Sequence, residues 1–167
     1  MHRRVVRFLL IFGAGLLLAG PALASGPPTP GEPAHPFTLS DLDGKPVALS
    51  SFAGRLVLLH FWATWCPTCH EEMTILDDAA RAHPGALVIL GVNLGEKRSK
   101  VATFVKESGI SFPILLDARG KVAAAYGVLS LPITLAIGPD GHVAERVLMG
   151  SLDRAGLERI LERHPPE

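Results

Sequence analysis

Both cysteines of this 167-residue chain lie in one stretch, Trp65-Cys66-Pro67-Thr68-Cys69-His70-Glu71-Glu72. Two thiols with two residues between them fall on one helical turn, so their sulfurs can bond to each other or to a shared third group. Cys-x-x-Cys-His is the spacing at which c-type haem is attached, with His70 as axial ligand. Cys-x-x-Cys behind a buried strand is the spacing of a thiol pair that cycles between open and disulfide forms. A copper carrier could use the same two sulfurs. Zinc would draw on Cys66, Cys69 and His70, but no second motif supplies the fourth ligand of a closed tetrahedral site. A purely structural disulfide is disfavoured, because so short a loop restricts the unfolded chain very little. These eight residues alone leave the haem and redox readings open.

The elements around the pair narrow the choice. Leu56 to Phe61 (LVLLHF) is an apolar run of strand length, as in a strand covered on both faces. Pro67 stands where a helix tolerates proline, in its first turn. That helix is predicted through TCHEEMTILDDAARA, with Met73, Leu76 and Ala80 on one face, and Pro84-Gly85 stops it. Upstream, Phe37-Thr38-Leu39 and Val47-Ala48-Leu49 flank Asp41-Leu42-Asp43-Gly44, a hairpin signal. Downstream come a buried strand over 86–92, a turn over 93–95, and a helix carrying Val101, Phe104, Val105 and Ser108 and ending at Gly109. A short strand over 112–116 and a short helix over 122–126 follow. Strands over 133–137 and 143–148 pair antiparallel around the Gly138–Gly141 turn, and Leu157, Ile160 and Leu161 mark a closing amphipathic helix. Strands alternating with helices predict an α/β domain, a central mixed β-sheet flanked by helices, with an N-terminal β-hairpin. That pattern offers no evident pocket for a macrocycle. Met73 is too near His70 on the same helix to reach the far side of a haem, which leaves Met149 as the candidate distal ligand.

Hydrophobic residues make up 48% of the chain, enough for a sizeable core, and the formal net charge is zero. No basic block suits nucleic acid. The first 24 residues read as a secretory signal peptide: a basic start (Arg3, Arg4, Arg7), a short apolar run over 8–20, a break at Pro21 and the small-residue site Ala22-Leu23-Ala24. The alternative is an uncleaved anchor in the inner membrane. Cleavage removes three arginines and no acids, leaving 13 basic and 16 acidic residues. Residues 25–36 are rich in Pro and Gly and read as a flexible or extended lead-in, and residues 37–164 as the folded domain. The expected location is the periplasm, where disulfides persist.

The stretch LVLLHFWATWCPTCHEEM resembles the active-site strand and helix of the TlpA/ResA/CcmG-like thioredoxin-fold family. The likeness continues through Tyr126-Gly127-Val128, Pro132–Thr134 and the Gly138–Gly141 turn, and covers roughly residues 35–163. It implies a thioredoxin-like fold in which residues 93–109 occupy the place of an αβ insertion, and an extracytoplasmic thiol–disulfide oxidoreductase without a cofactor. The family implies the reducing direction, with clients such as apocytochrome c or copper-site proteins and recharging by a membrane electron donor of the DsbD/CcdA kind. An oxidant of the DsbA kind is disfavoured by the absence of a long helical insertion.

Roles can then be assigned. Cys66, where strand gives way to helix, is the expected nucleophile, because unpaired amides and the helix dipole stabilise a thiolate there. Cys69, one turn on, is expected to resolve the mixed disulfide. Glu72 lies three residues past Cys69; the resemblance implies an acid that tunes the cysteines and shuttles protons, against the alternative of a solvated charge. Glu71 is expected in solvent. Pro132 resembles the cis-proline that faces the disulfide in this fold, placing the Leu131 backbone for strand-like pairing with a client. Trp65, Pro67, Thr68 and Leu131 form the expected docking surface, and Trp62 is expected in the core. His60 departs from the family, which often has Asn there. It is read first as a hydrogen-bonded core residue and second as a buried proton acceptor. His70 is expected to be exposed.

Overall fold

The computed structural model describes residues 26–147 and 152–166. The predicted signal segment, Met149 and the last residue of the strand predicted over 143–148 lie outside the described residues. The elements are β1 (Thr38–Asp41), β2 (Pro46–Ala48), a 3-10 turn (Leu49–Phe52), β3 (Leu56–Trp62), α1 (Pro67–Ala82), β4 (Leu87–Leu94), α2 (Arg98–Ser108), β5 (Ile114–Asp117), α3 (Lys121–Ala125), β6 (Ile133–Ile137), β7 (Val143–Val147) and α4 (Arg154–Arg163). They form one seven-stranded sheet in the order β2-β1-β5-β4-β3-β6-β7. The central β3, β4 and β5 run parallel; β6 and β7 on one side and β1 and β2 on the other are antiparallel.

Every residue of β3 is buried, the result of a strand covered on both faces. Side chains alternate across it. Leu56, Leu58 and Trp62 pack under α1, α2 and α4, against Cys69, Met73, Leu76, Val101 and Ile160. Val57, Leu59 and Phe61 pack on the opposite side with Leu49, Val122, Ala123 and Tyr126. His60 shares the α1 face, an imidazole in an otherwise apolar row.

Several boundaries differ from the sequence reading by a residue or two, and two of the differences have a clear cause. The predicted turn at Asn93 is strand: β4 runs on because Asn93 and Leu94 pair with Leu116 and Asp117 of β5. β5 itself begins at Ile114, because Pro113 has no N–H for a ladder; its carbonyl still accepts from Gly91 N–H.

The lead-in is docked on the domain and turns at Thr29–Glu32, where Glu32 N–H donates to Thr29 O. Gly31 N–H donates to Val143 O, Val143 N–H to Glu32 O, and Ala34 N–H to Gly141 O, while Tyr126 Oη donates to His35 O at 2.7 Å. Prolines at 27, 28, 30, 33 and 36 restrict its backbone and lower the cost of holding it in place. Pro27 rests on Gly127, where a Cβ would approach its Cγ to 2.5 Å.

Gly91 shows how tightly the α1 face is filled. A Cβ there would lie 2.7 Å from Ile114 Cδ1 and 2.9 Å from Phe112 Cε2. Gly91→Ala is therefore expected to cost about 1–3 kcal/mol through overpacking, read as a lower urea midpoint at unchanged m-value. An unchanged midpoint would show that this face has slack.

Candidate active site

β3 delivers the chain to a short loop, Ala63–Trp65, and Cys66 takes the N-cap position of α1 with extended backbone (φ −102, ψ 99). Pro67 follows at the first helical position, where its missing N–H is no loss. Cys66 Sγ accepts from the Cys69 N–H at 3.3 Å, so the first sulfur caps the helix that holds the second. The two cysteines are joined as a disulfide, with Cα atoms 5.3 Å apart. Cys66 keeps 5% of its surface and Cys69 none. An incoming group meets Cys66 first.

The loop ahead of Cys66 is clamped at Thr64 by Glu96 and His70. Glu96 accepts from Thr64 N–H at 2.7 Å and Thr64 Oγ1 at 2.6 Å, and also from Asn93 Nδ2 and Lys100 Nζ. His70 Nε2 lies 3.1 Å from Thr64 O, and its ring packs on Phe104 at 4.5 Å between centroids. His70 is thus half-buried and engaged, not exposed as expected, because α2 brings Phe104 over it. Burial pushes the Glu96 carboxyl up, but the hydrogen bonds from Lys100, Thr64 and Asn93 outweigh it and hold it down to about 2.

Of the two adjacent acids, Glu71 is exposed and Glu72 buried. A helix advances about 100° per residue, and α1 lays only one of the pair against the sheet. Glu72 Oε2 sits 3.8 Å from His60 Nδ1, which is itself 2.9 Å from Thr134 Oγ1. Burial pushes His60 down to about 3.

The Leu131–Pro132 peptide bond is cis. Pro132 immediately precedes β6, whose Ile133 pairs with Phe61 of β3, so the proline arrives at the end of the sheet that carries Cys66. Leu131 is half-buried, Thr68 half-buried and Pro67 exposed. Trp65, 65% exposed, and Leu129, 97% exposed, are the large hydrophobic residues left in solvent among the described residues. They lie on the two loops at this end of the sheet, β3–α1 and α3–β6. Trp62 is fully buried.

The structure thus gathers Cys66, Cys69, Glu72, Pro132, Trp65, Pro67, Thr68 and Leu131 at one end of the sheet and its covering helix. Sequence reasoning missed Thr64, Asn93, Glu96, Phe104 and Leu129. Glu96 is 32 residues from Thr64 and sits in an unremarkable polar run, so no local signal marks it.

His60 and Glu96 both link protonation to stability. Each has a folded value below its ordinary one, so each contributes stability that is full above the ordinary value and declines as pH falls. The window opens near 6.5 for His60 and near 4.5 for Glu96, closing at about 3 and about 2. The urea midpoint is expected to fall below pH 6.5 and more steeply below 4.5. His60→Asn should flatten the upper part and Glu96→Gln the lower; a midpoint constant from pH 7 to 4 would contradict the first, and one that does not steepen below pH 4.5 the second.

The chain is similar to known proteins in sequence and fold. The AhpC/TSA family profile matches residues 30–146. Thiol-disulfide oxidoreductase ResA of Geobacillus thermodenitrificans is 36% identical over 137 residues, covering 81% of this chain and 78% of the relative. ResA of Bacillus subtilis is 37% identical over 123 residues, covering 73% and 68%. Among solved structures, a secreted Mycobacterium tuberculosis disulfide oxidoreductase homologous to E. coli DsbE superposes with a TM-score of 0.69 at 28% identity, over 76% of this chain and 95% of that one. A Bacteroides fragilis thiol-disulfide oxidoreductase gives 0.68 at 26% identity, over 78% and 100%. A disulfide caps a helix at the end of a buried parallel strand, and a cis-proline opens the neighbouring strand β6; with these matches, the chain belongs to the thioredoxin-fold AhpC/TSA family as a thiol–disulfide oxidoreductase.

Proposed function

We propose that the protein is an extracytoplasmic reductant of client disulfides, serving proteins such as apocytochrome c or copper-site proteins and recharged by a membrane electron donor of the DsbD/CcdA kind. Export is supported by the basic and apolar N-terminus and by the secreted Mycobacterium relative. Among the described residues no helix is long and apolar enough to cross a membrane.

One observation carries the chemistry: Cys66 caps α1 at the solvent edge while Cys69 lies wholly buried one turn below it. In the reduced protein, amides of the first turn of α1 stabilise a Cys66 thiolate. It attacks one sulfur of the client disulfide; an S–S bond to Cys66 forms, the client's bond breaks, and the second client sulfur leaves as thiolate and takes a proton from water. Cys69 then loses its proton to Glu72 and attacks Cys66 Sγ. The Cys66–Cys69 bond forms, the mixed disulfide breaks, and two electrons have passed to the client. Trp65, Leu129 and Leu131 supply apolar contact, and the backbone beside cis-Pro132 lines up an extended segment.

The test uses the pre-reduced full chain and an oxidised peptide containing Cys-x-x-Cys-His. Release of peptide thiols well above the uncatalysed rate is expected. Oxidation of the reduced peptide by the disulfide form, with no reaction in the other direction, would reverse the assigned direction.

A further inference from the structure

Arg146 stands on β7, the last strand of the sheet, opposite Leu135 of β6. Cross-strand partners share a face, and Leu135 packs on the face that holds Tyr126. Arg146 therefore rises on that face, half-buried, and it does not end in solvent. Its Nη1 donates to Tyr126 O at 2.7 Å and its Nη2 to Gly127 O at 2.9 Å. A guanidinium is a rigid planar fork, and here both prongs grip one stretch of main chain. The neighbouring acid, Glu145, is paired with Arg163 of α4.

What Arg146 grips is the root of the loop that carries Leu129 and Leu131. α3 ends at Ala125, and the chain turns at Gly127, whose φ of 62° lies in the left-handed region that favours glycine. Gly127 N–H donates to Ala124 O and Val128 N–H to Ala123 O, the pair of bonds that closes a helix on such a glycine. Those amides face back into α3, which leaves the carbonyls of Tyr126 and Gly127 for a donor from elsewhere. Arg146 is that donor. The lead-in closes on the same root from another direction: Tyr126 Oη donates to His35 O, and Pro27 rests against Gly127. Beyond the root the chain passes through Leu129 and Ser130, both exposed, to the half-buried Leu131, and β6 begins at Ile133. So short a span is placed by its two ends, one in the sheet and one under Arg146.

Cys66 is fixed separately. Its N–H donates to Ala63 O at 3.2 Å, and it caps α1. The sulfur that reacts and the loop beside it are therefore held by different parts of the molecule. We propose that Arg146 is a positioning residue for client binding: by fixing the carbonyls of Tyr126 and Gly127 it sets where Leu129 and Leu131 stand relative to Cys66. The clients it favours bring an extended chain with apolar side chains beside their disulfide. A small disulfide without such a chain gains nothing from it. This inference rests on the docking role given to Leu129 and Leu131 in the proposed function.

The test compares two oxidised substrates on the pre-reduced full chain. One is a fluorescent peptide with a single disulfide flanked by leucines; the other is hydroxyethyl disulfide, which has no polypeptide. Arg146→Met keeps much of the apolar stem and removes both donors. The ratio of the peptide rate constant to the small-disulfide rate constant is expected to fall about tenfold, because a displaced loop misaligns the bound segment. A purely structural role would lower both constants together, so an unchanged ratio overturns the proposal whatever the separate rates do. Arg146→Gln, shorter and uncharged, is the second variant should Arg146→Met not fold. The same fall is expected of it, and a wild-type ratio in either folded variant overturns the proposal. Leu129→Ser is read in the same assay. If it lowers the ratio while the Arg146 variants do not, docking at this loop stands and only the role of Arg146 fails. If it leaves the ratio unchanged, the docking role itself fails, and the role of Arg146 with it.

Discussion

Cys69→Ala should turn a catalyst into a trap. Cys66 keeps its place at the cap of α1 and the amides around it, so its attack on a client disulfide proceeds. The mixed disulfide then has no internal exit, because the sulfur that would displace the client is gone. Turnover is expected to fall by roughly a thousandfold or more, since removing one member of a group that acts as a unit disables the whole. Covalent adducts should persist on non-reducing gels and vanish with added dithiol. Cys66→Ala should lose turnover equally and form few adducts, because Cys69 is wholly buried and meets no client. Equal adduct yields from the two variants would mean that the attacking and resolving roles are misassigned. Adducts isolated from cells would also identify the clients.

Glu72→Gln is expected to slow resolution about a hundredfold, the lower range of what a positioned acid–base group supplies. The amide matches the carboxyl in size and is cheaper to bury than a charge, so the fold is expected to remain at least as stable. The loss should fall on the second chemical step: the mixed disulfide forms at the usual rate and lives longer. Unchanged resolution would mean that the proton of Cys69 leaves by another route, such as solvent reaching the site during client binding. Glu71→Gln is the matching control. That side chain is exposed, and its replacement should move neither step.

Much of this site can be read along the chain. Cysteine spacing, the apolar run before it and Pro67 after it together demand a strand, a loop and a helix opening on Cys66. Each of those signals is local. That Glu72 and not Glu71 is buried was also legible, since Met73 and Leu76 indicate the face of α1 that meets the sheet. The lead-in was open for a physical reason: proline and glycine mark both loose tethers and docked segments, and only the free edge of the sheet near Val143 decides between them.

Sequence by itself determined the reacting pair and its setting: two thiols one helical turn apart, at the start of a helix, behind a buried strand. Tertiary structure decided what surrounds them. Sheet order sets β6 beside β3 and so brings Thr134 to His60 across 74 residues of chain. The packing of α1 on that face brings Glu72 to the same ring. The run of β4 into the α2 insertion carries Glu96 to the loop ahead of Cys66. Hydrophobic period and turn residues specify elements one at a time; which polar groups meet inside the core depends on how those elements pair and pack, and no short stretch of sequence holds that information.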